Sequence, residues 1–558
     1  MKYRPASDPE STSILRSSSR RQFLQGTGLA LSASLAGGLT GCGGNSAARL
    51  VEQRREAAWR RRRVILDDDG DLCYSDDAEK SVEAFLAQRF VPILETPVDS
   101  IAWCIMWAIA IGKGKTRYWE TQQLGKPLNP VISDPTPVMV DAARGRDVEL
   151  FGSLRMNDTH DSYGMPAGKL IYPLKVEHPE WLLGDESMKG PVFSSQAAAI
   201  WSGLDFAVPQ VREDRLWWIR NTVEKYDVAG VDLNFFRMPW YFKTGKEEEG
   251  MPLMTDLIRS ARKVLDRESE RRGRPLMLGI RSPGTVAACR RIGIDIETWL
   301  KEGLVDRLLI GGGYVPFTNP AEELVRLGHR HQVPVYPCIN CGTQMFGSDA
   351  AFRGAASNIL WAGADGIYLW NFQYRRVPRI SYGRPAAEGY EVLNHIGSSD
   401  ALRYQDKTFA IDYVQTVDVM GNVGPYSIAS YPGQVPVDLA ESPGQDRTAV
   451  EMRVGDDLPA AEKAGRLKSV DIEVEVPNLM PGERLEITLN QTPVELDSEG
   501  VRPPRKEGEK GVPFRSGKLS ADPVRQGMNR FEIGVAKRSS RASGKLNLKQ
   551  ILLHVHYS

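Results

Sequence analysis

Between residues 63 and 370, eight short apolar runs of strand length are separated by stretches that are mostly helical in period. The runs are Arg63–Asp67, Asp99–Met106, Glu149–Arg155, Val228–Asn234, Leu276–Arg281, Arg307–Gly311, Val333–Cys338 and Gly366–Trp370. Helical patterns cover Ala78–Arg89, Val211–Tyr226, Met254–Arg271, Val286–Glu302, Ala321–His331 and Phe352–Ala362. A helix between two strands returns the chain to the same end of the sheet, so the strands run parallel. Eight such units over roughly 310 residues are the number and size of a (β/α)8 TIM barrel. A doubly wound open sheet is the alternative, but no G-x-G-x-x-G follows the first run. Gly114-Lys115-Thr116 ends like a P-loop, yet Ile109 stands where the leading glycine is needed, which excludes nucleotide binding by that motif.

The pattern changes near residue 400. All 12 tryptophans lie between Trp59 and Trp370. Beyond Asp412 the chain shows short alternating runs: Ser469–Val476, Arg484–Leu489, Asn529–Val535 and Gln550–Tyr557. They predict a C-terminal antiparallel β-sandwich domain, with Glu499–Gly511 as a loop.

The N-terminus reads as an address. Ser19-Arg20-Arg21-Gln22-Phe23-Leu24 fits a twin-arginine pattern, and Gly26–Leu39 is an apolar stretch of 14 residues. A membrane-spanning helix needs about 20, so this length suits a signal segment. Leu39-Thr40-Gly41-Cys42 has the form of a lipobox, which predicts lipidation at Cys42. The expected parts are a signal over 1–41, a basic tether over 42–61, the barrel over 62–400 and the sandwich over 401–558. The chain carries 71 Lys+Arg against 71 Asp+Glu, but residues 1–63 hold +8 and the remainder −8. Without residues 1–41 the balance is −3. That leaves no basic footprint for nucleic acid. The expected partners are therefore a carbohydrate, the membrane through a lipid anchor, and the twin-arginine export machinery. The expected location is periplasmic or cell-surface.

Five cysteines remain after Cys42. Cys338-Ile-Asn-Cys341 has no second pair for zinc and no thioredoxin-like surroundings, and Cys104 sits in an apolar strand pattern. His554 and His556 share a strand face but are only two ligands. No metal or cofactor is expected.

In a barrel of this kind the chemistry sits at the carboxyl ends of the strands. Those ends are polar here. They give Asp67-Asp68-Asp69-Gly70, Arg155-Met156-Asn157-Asp158-Thr159-His160-Asp161, Asp232-Leu233-Asn234-Phe235-Phe236-Arg237, Arg281 and Trp370-Asn371. Strand alternation puts Asp232 and Asn234 on one face, toward the barrel mouth. Carboxylates, arginines and tryptophans suit glycoside hydrolysis, which needs one protonated carboxyl and one ionised carboxylate. Asp232 is the expected nucleophile or base, with an ion pair to Arg155 or Arg281 as its structural alternative. Asp158 is the expected general acid. Asp68, Arg155, Asn157, His160, Asp205, Asn234, Arg237, Trp240, Arg281, Trp370 and Asn371 are expected to bind substrate. Trp119, Trp181, Trp201 and Tyr241 are further candidates for stacking on sugar rings, with a structural role as the alternative for each.

The segment Arg155-Met156-Asn157-Asp158 with His160 resembles the R-M-N-D-x-H motif of bacterial glycoside-hydrolase-like TIM-barrel proteins. Val228-Ala229-Gly230-Val231-Asp232-Leu233-Asn234-Phe235-Phe236-Arg237 resembles their D-G-I-E-L-D-F-x-R strand, with Ala229-Gly230 where the motif has Asp-Gly and Asp232 where it has Glu, and Leu204-Asp205-Phe206-Ala207 leads into it in the same way. The resemblance implies carbohydrate chemistry. Asn234 stands where that motif has Asp, and Asn cannot act as a carboxylate base. Two readings follow. One is an exported glycoside hydrolase whose second acid is Asp158, Asp161 or Asp205. The other is a non-catalytic glycan-binding lipoprotein on the same barrel.

Overall fold

The computed structural model describes residues 44–68, 81–105, 134–159, 172–188, 200–311, 320–340, 348–372, 390–412, 434–440, 442–444, 446–480, 482–502, 511–540 and 544–558. Residues 47–558 form one compact body. The signal segment, Cys42, Cys73, Cys341, Trp119, His160 and Asp161 lie outside the described residues.

Eight parallel strands close a barrel in chain order, with β8 pairing back onto β1. They are β1 (Val64–Asp68), β2 (Val98–Cys104), β3 (Glu149–Arg155), β4 (Gly230–Asn234), β5 (Met277–Ser282), β6 (Arg307–Ile310), β7 (Val335–Asn340) and β8 (Ile367–Trp370). Every expected strand is present. Around them lie α1 (Gly44–Ala58), α2 (Val82–Arg89), α3 (Pro135–Arg144), the short α4 (Pro173–Glu177), α5 (Pro209–Lys225), α6 (Glu247–Arg272), α7 (Val286–Arg290), α8 (Ile296–Lys301), α9 (Glu322–Arg330) and α10 (Asp349–Trp361). The single helix expected over Val286–Glu302 is two. Gly293, left-handed at φ 78°, lies between them, and Asp295 caps α8 by accepting from the Thr298 N–H.

The barrel interior is not wholly apolar. Ile65, Ala102, Leu309, Tyr336, Cys338, Tyr368 and Trp370 form an inner apolar cluster. Threaded through it are three ion pairs. At the amino end of the strands Arg62 donates to both Glu149 oxygens, at 2.6 and 3.0 Å, and to the Ala57 and Ala58 carbonyls. In the middle Arg307 grips both oxygens of Asp232, at 2.9 and 2.5 Å. Toward the carboxyl end Arg281 donates to Asp67 at 2.8 Å.

The middle pair depends on its neighbours in register. Ser153, Asp232, Gly279 and Arg307 are consecutive partners across β3 to β6. A Cβ at position 279 would stand 2.0 Å from an Asp232 oxygen, so glycine makes the room the carboxylate occupies. The Arg307 guanidinium lies over the Phe151 ring and also reaches the Ser100 hydroxyl at 3.3 Å.

The stretch expected as a free basic tether is structured where it is described. Arg54 pairs with Asp266 and Asp306, Arg60 with Asp147, Arg62 with Glu149, and Arg63 with Asp99. Apart from Asp266 of α6, the acids are those at the amino ends of the barrel strands and the adjoining loops, so the arginine run is largely neutralised there.

After α11 (Leu393–Ile396) and α12 (Ser399–Leu402) the chain is antiparallel. One sheet orders β15 (Ser498–Arg502), β16 (Val512–Leu519), β12 (Leu467–Glu475), β19 (Gln550–Tyr557) and β9 (Lys407–Ile411). A second orders β11 (Thr448–Val454), β17 (Gly527–Lys537), β13 (Arg484–Leu489) and β14 (Thr492–Val494). A two-stranded ribbon joins β10 (Val437–Asp438) to β18 (Asn547–Leu548). Alternate residues Val470, Ile472 and Val474 of one sheet and Phe531, Ile533 and Val535 of the other are buried. The fold is thus a barrel followed by a β-sandwich. The expected loop over Glu499–Gly511 is strand at its start, because Glu499–Arg502 continue the β15–β16 ladder. Among the described residues no helix is long and apolar enough to cross a membrane.

Replacing Arg307 with Met would leave the Asp232 carboxylate buried without its partner, at a cost of about 3–5 kcal/mol in denaturant unfolding. The double variant Arg307→Met/Asp232→Leu should be clearly more stable than Arg307→Met alone. Equal stability of wild type and Arg307→Met would refute the role of the pair.

Candidate functional site

The carboxyl end of the barrel gathers Asp67, Arg155, Asp158, Asn234, Arg237, Arg281, Trp370 and Asn371. All but Arg237 are buried. Arg281 is central. Besides Asp67 it approaches the Cys338 sulfur at 3.9 Å, and its guanidinium lies 5.2 Å from the Tyr368 ring centre and 5.3 Å from that of Trp370. Arg237 stands 5.6 Å from the same indole, so Trp370 carries two guanidiniums. Burial pushes the Tyr368 hydroxyl well above its usual range, so it is a neutral phenol.

The third strand ends in a second ion pair. Arg155 donates to an Asp158 oxygen at 2.9 Å, and the Asp158 carbonyl accepts from Lys175 at 2.7 Å. Next to it Asn157 is used by the backbone. Its amide donates to the carbonyls of Leu204 and Trp240, and its oxygen accepts from the Leu204 N–H at 2.8 Å. Asn157 therefore ties the end of β3 to two other segments. Asn234 acts similarly on a shorter scale. Its side-chain oxygen accepts from the N–H groups of Phe236 and Arg237, at 3.1 and 2.9 Å, which turns the chain after β4 and sets the position of Arg237. Asp205 also shapes a turn, accepting from the Ala207 N–H at 2.9 Å.

Three expectations need correction. Asp68 does not face the mouth. It lies in register with Trp103 and pairs with Arg89 of α2, whose guanidinium lies over Phe85 and Trp103. Side chains alternate along a strand, so it is Asp67 that points into the barrel. Asp232 does face inward, but its partner is Arg307 rather than Arg155 or Arg281, and both its oxygens are engaged. Trp240 and Tyr241 are fully buried and belong to the packing behind the mouth. Asp67 and Arg307 were both legible as polar residues in the barrel strands, but neither stood out as a site residue.

Cys104, Cys289 and Cys338 are buried. Burial pushes the Cys289 thiol up to about 12. Among the described residues no group of three or more His, Cys, Asp or Glu side chains is arranged to hold a metal. His554 shares a bond with Thr408 at 3.0 Å, and His556 lies 3.3 Å from Asp406.

No family model and no curated protein matches this chain. Solved structures similar to it include a maltogenic α-amylase from Thermotoga neapolitana, 11% identical, covering 85% of this chain and 98% of that one, with a TM-score of 0.36. An α-galactosidase from Thermus thermophilus is 14% identical, covering 67% and 68%, with a TM-score of 0.34. An N-acetylglucosaminidase from Paenibacillus barengoltzii is 13% identical, covering 58% and 98%, with a TM-score of 0.31. Likeness at this level says nothing about activity, and the functional reading rests on the side chains described above.

Thiol accessibility tests the burial directly. Brief treatment of the native protein with a maleimide, read peptide by peptide in a mass spectrometer, should leave Cys104, Cys289 and Cys338 unmodified until denaturant is added. Rapid native labelling at Cys338 would mean that the barrel interior beside Arg281 is open.

Proposed function

We propose that this chain is an exported, lipid-anchored protein that recognises a poly- or oligosaccharide at the carboxyl end of its barrel. The observation that carries the reading is the pair of guanidiniums, Arg237 and Arg281, against Trp370, with the Arg155–Asp158 pair at the same end of the barrel. Arginine forks bind hydroxyls, uronate carboxylates and sulfates with defined geometry. Arg237 is the least buried of the three and is positioned by the turn that Asn234 makes. It is the residue that meets the ligand first.

Recognition ranks above hydrolysis because of Asp232. A nucleophilic carboxylate needs an oxygen free to approach the anomeric carbon, and Arg307 holds both. Hydrolysis is the second reading, favoured by one feature. Asp67 on β1 and Asp158, three residues past β3, are two carboxylates at the same end of the barrel, each held by a different arginine. If the protein is an enzyme, Asp158 is the acid and Asp67 its partner.

A glycan array probed with the mature protein separates these outcomes. Arg237→Ala should weaken retention by about 10–100-fold, the equivalent of one charge-assisted hydrogen bond at roughly 1.5–3 kcal/mol. Absence of retention on every glycan would reject the reading. Release of reducing ends by wild type, lost in Asp158→Asn, would put hydrolysis first.

The anchor has its own test. Cells expressing the full chain should incorporate radiolabelled palmitate, and Cys42→Ala should abolish it. Replacing both Arg20 and Arg21 with Lys should leave the protein in the cytoplasm. Labelling that survives Cys42→Ala would remove the anchor from the account.

A further inference from the structure

A cavity lies where the barrel meets the sandwich, lined from the barrel side by the end of α10. It has a volume of about 510 Å³ and is bounded by the end of α10, by α12, and by residues 455–461. Two aromatic side chains stand on its rim, Trp361 at 41% exposure and Tyr404 at 37%. Large exposed aromatics are costly to leave in water, and these two share one cavity.

The surroundings hold them in place. Gly527 has φ 104°, and a Cβ there would stand 3.0 Å from the Trp361 ring, so the indole lies against backbone that only glycine keeps clear. Tyr404 is a non-glycine residue at φ 59°. Its ring is 5.8 Å from that of Tyr557, with the Arg466 guanidinium also 5.8 Å away.

The floor is polar and internally satisfied. Asp456 accepts from Ser357 and Tyr557, both at 2.5 Å, and pairs with Lys407 at 2.8 Å. A lipid tail or an apolar peptide segment would have to strip water from this charged floor without repaying it. A polar ligand with flat apolar faces would not. The lining also offers hydrogen-bonding groups beside the rings. Arg403 pairs with exposed Asp400 at 3.3 Å, Asp457 caps the short helix Leu458–Lys463 by accepting from the Ala460 N–H, and the Gln526 amide donates to the Gly455 carbonyl at 2.9 Å.

We propose that this cavity is a second glycan-binding site, taking one or two sugar rings against Trp361 and Tyr404, with Arg403 and Asp457 meeting their hydroxyls. The volume falls in the range of small-molecule pockets, and Trp and Tyr side chains lining one cavity with polar groups match the apolar faces and hydroxyl edges of a pyranose. The proposal rests on the carbohydrate reading above. It adds a site outside the barrel mouth that would hold a polymer while another part of it occupies the mouth.

Affinity electrophoresis of the mature full chain tests it, in gels containing xylan, mixed-linkage β-glucan, pectin or heparin. In whichever gel retards wild type, Trp361→Ala/Tyr404→Ala should bind about tenfold more weakly, the loss of roughly one stacking contact. Trp361→Phe should stay within about twofold of wild type. Arg237→Ala should keep partial retardation, which the triple variant loses. Circular dichroism melting verifies that each variant is folded. Unchanged retardation of the double variant, with loss in Arg237→Ala, would place all binding at the mouth and overturn this proposal alone. No retardation of wild type in any gel would overturn both readings.

Discussion

The barrel is organised around a charge it could not bury alone. Asp232 sits inside the barrel, and Arg307, two strands away, neutralises it with a two-pronged grip. Gly279 on the strand between them leaves the space, Phe151 provides a surface for the guanidinium, and Ser100 takes a further donor. An ion pair in a low-dielectric interior stabilises only when its geometry is good and its remaining groups are met. Here β2, β3, β4, β5 and β6 all contribute to that geometry. The pair therefore restricts the register of most of the barrel. Arg62–Glu149 below and Arg281–Asp67 above repeat the device at the two ends.

This arrangement determines what the mouth can offer. Carboxylates at the strand ends are plentiful in the sequence, but those described are held by arginine: Asp67 by Arg281, Asp158 by Arg155, and Asp68 by Arg89 on the outer side of β1. Asparagines do a different job. Asn157 and Asn234 bind backbone and fix the segments that follow β3 and β4. Such an end is rigid and rich in donors, which suits selective binding of a hydroxylated ligand more directly than it suits general acid chemistry.

Much of the fold could be read from pattern. The eight strands were legible because each is a short apolar run bounded by polar or turn residues. The sandwich was legible where alternation is clean, as in β12 and β19, and not where charge and glycine obscure it, as in β15 and β16. Helix α3 was missed because Pro135 and Pro137 look like breakers. They stand in the first turn, where a missing N–H costs nothing, and Asp134 caps them by accepting from Thr136. The site was harder. Val64, Ile65 and Leu66 are all apolar, since β1 is covered on both faces, so the run does not reveal whether Asp67 or Asp68 points inward. Arg307 opens its strand and resembles an ordinary boundary residue. Its partner is 75 positions away, and only closure of the barrel brings the two together.

The central claim is that Arg307 is locked on Asp232 while Arg237 meets ligand. Nuclear magnetic resonance of protein labelled with 15N-arginine reads both at the Nε–H groups. The account predicts an Arg307 signal that is protected from solvent exchange, shifts on Asp232→Asn and does not move with added oligosaccharide, whereas the Arg237 signal moves saturably. An Arg307 signal that exchanges as fast as free arginine, or that follows the oligosaccharide, would contradict it.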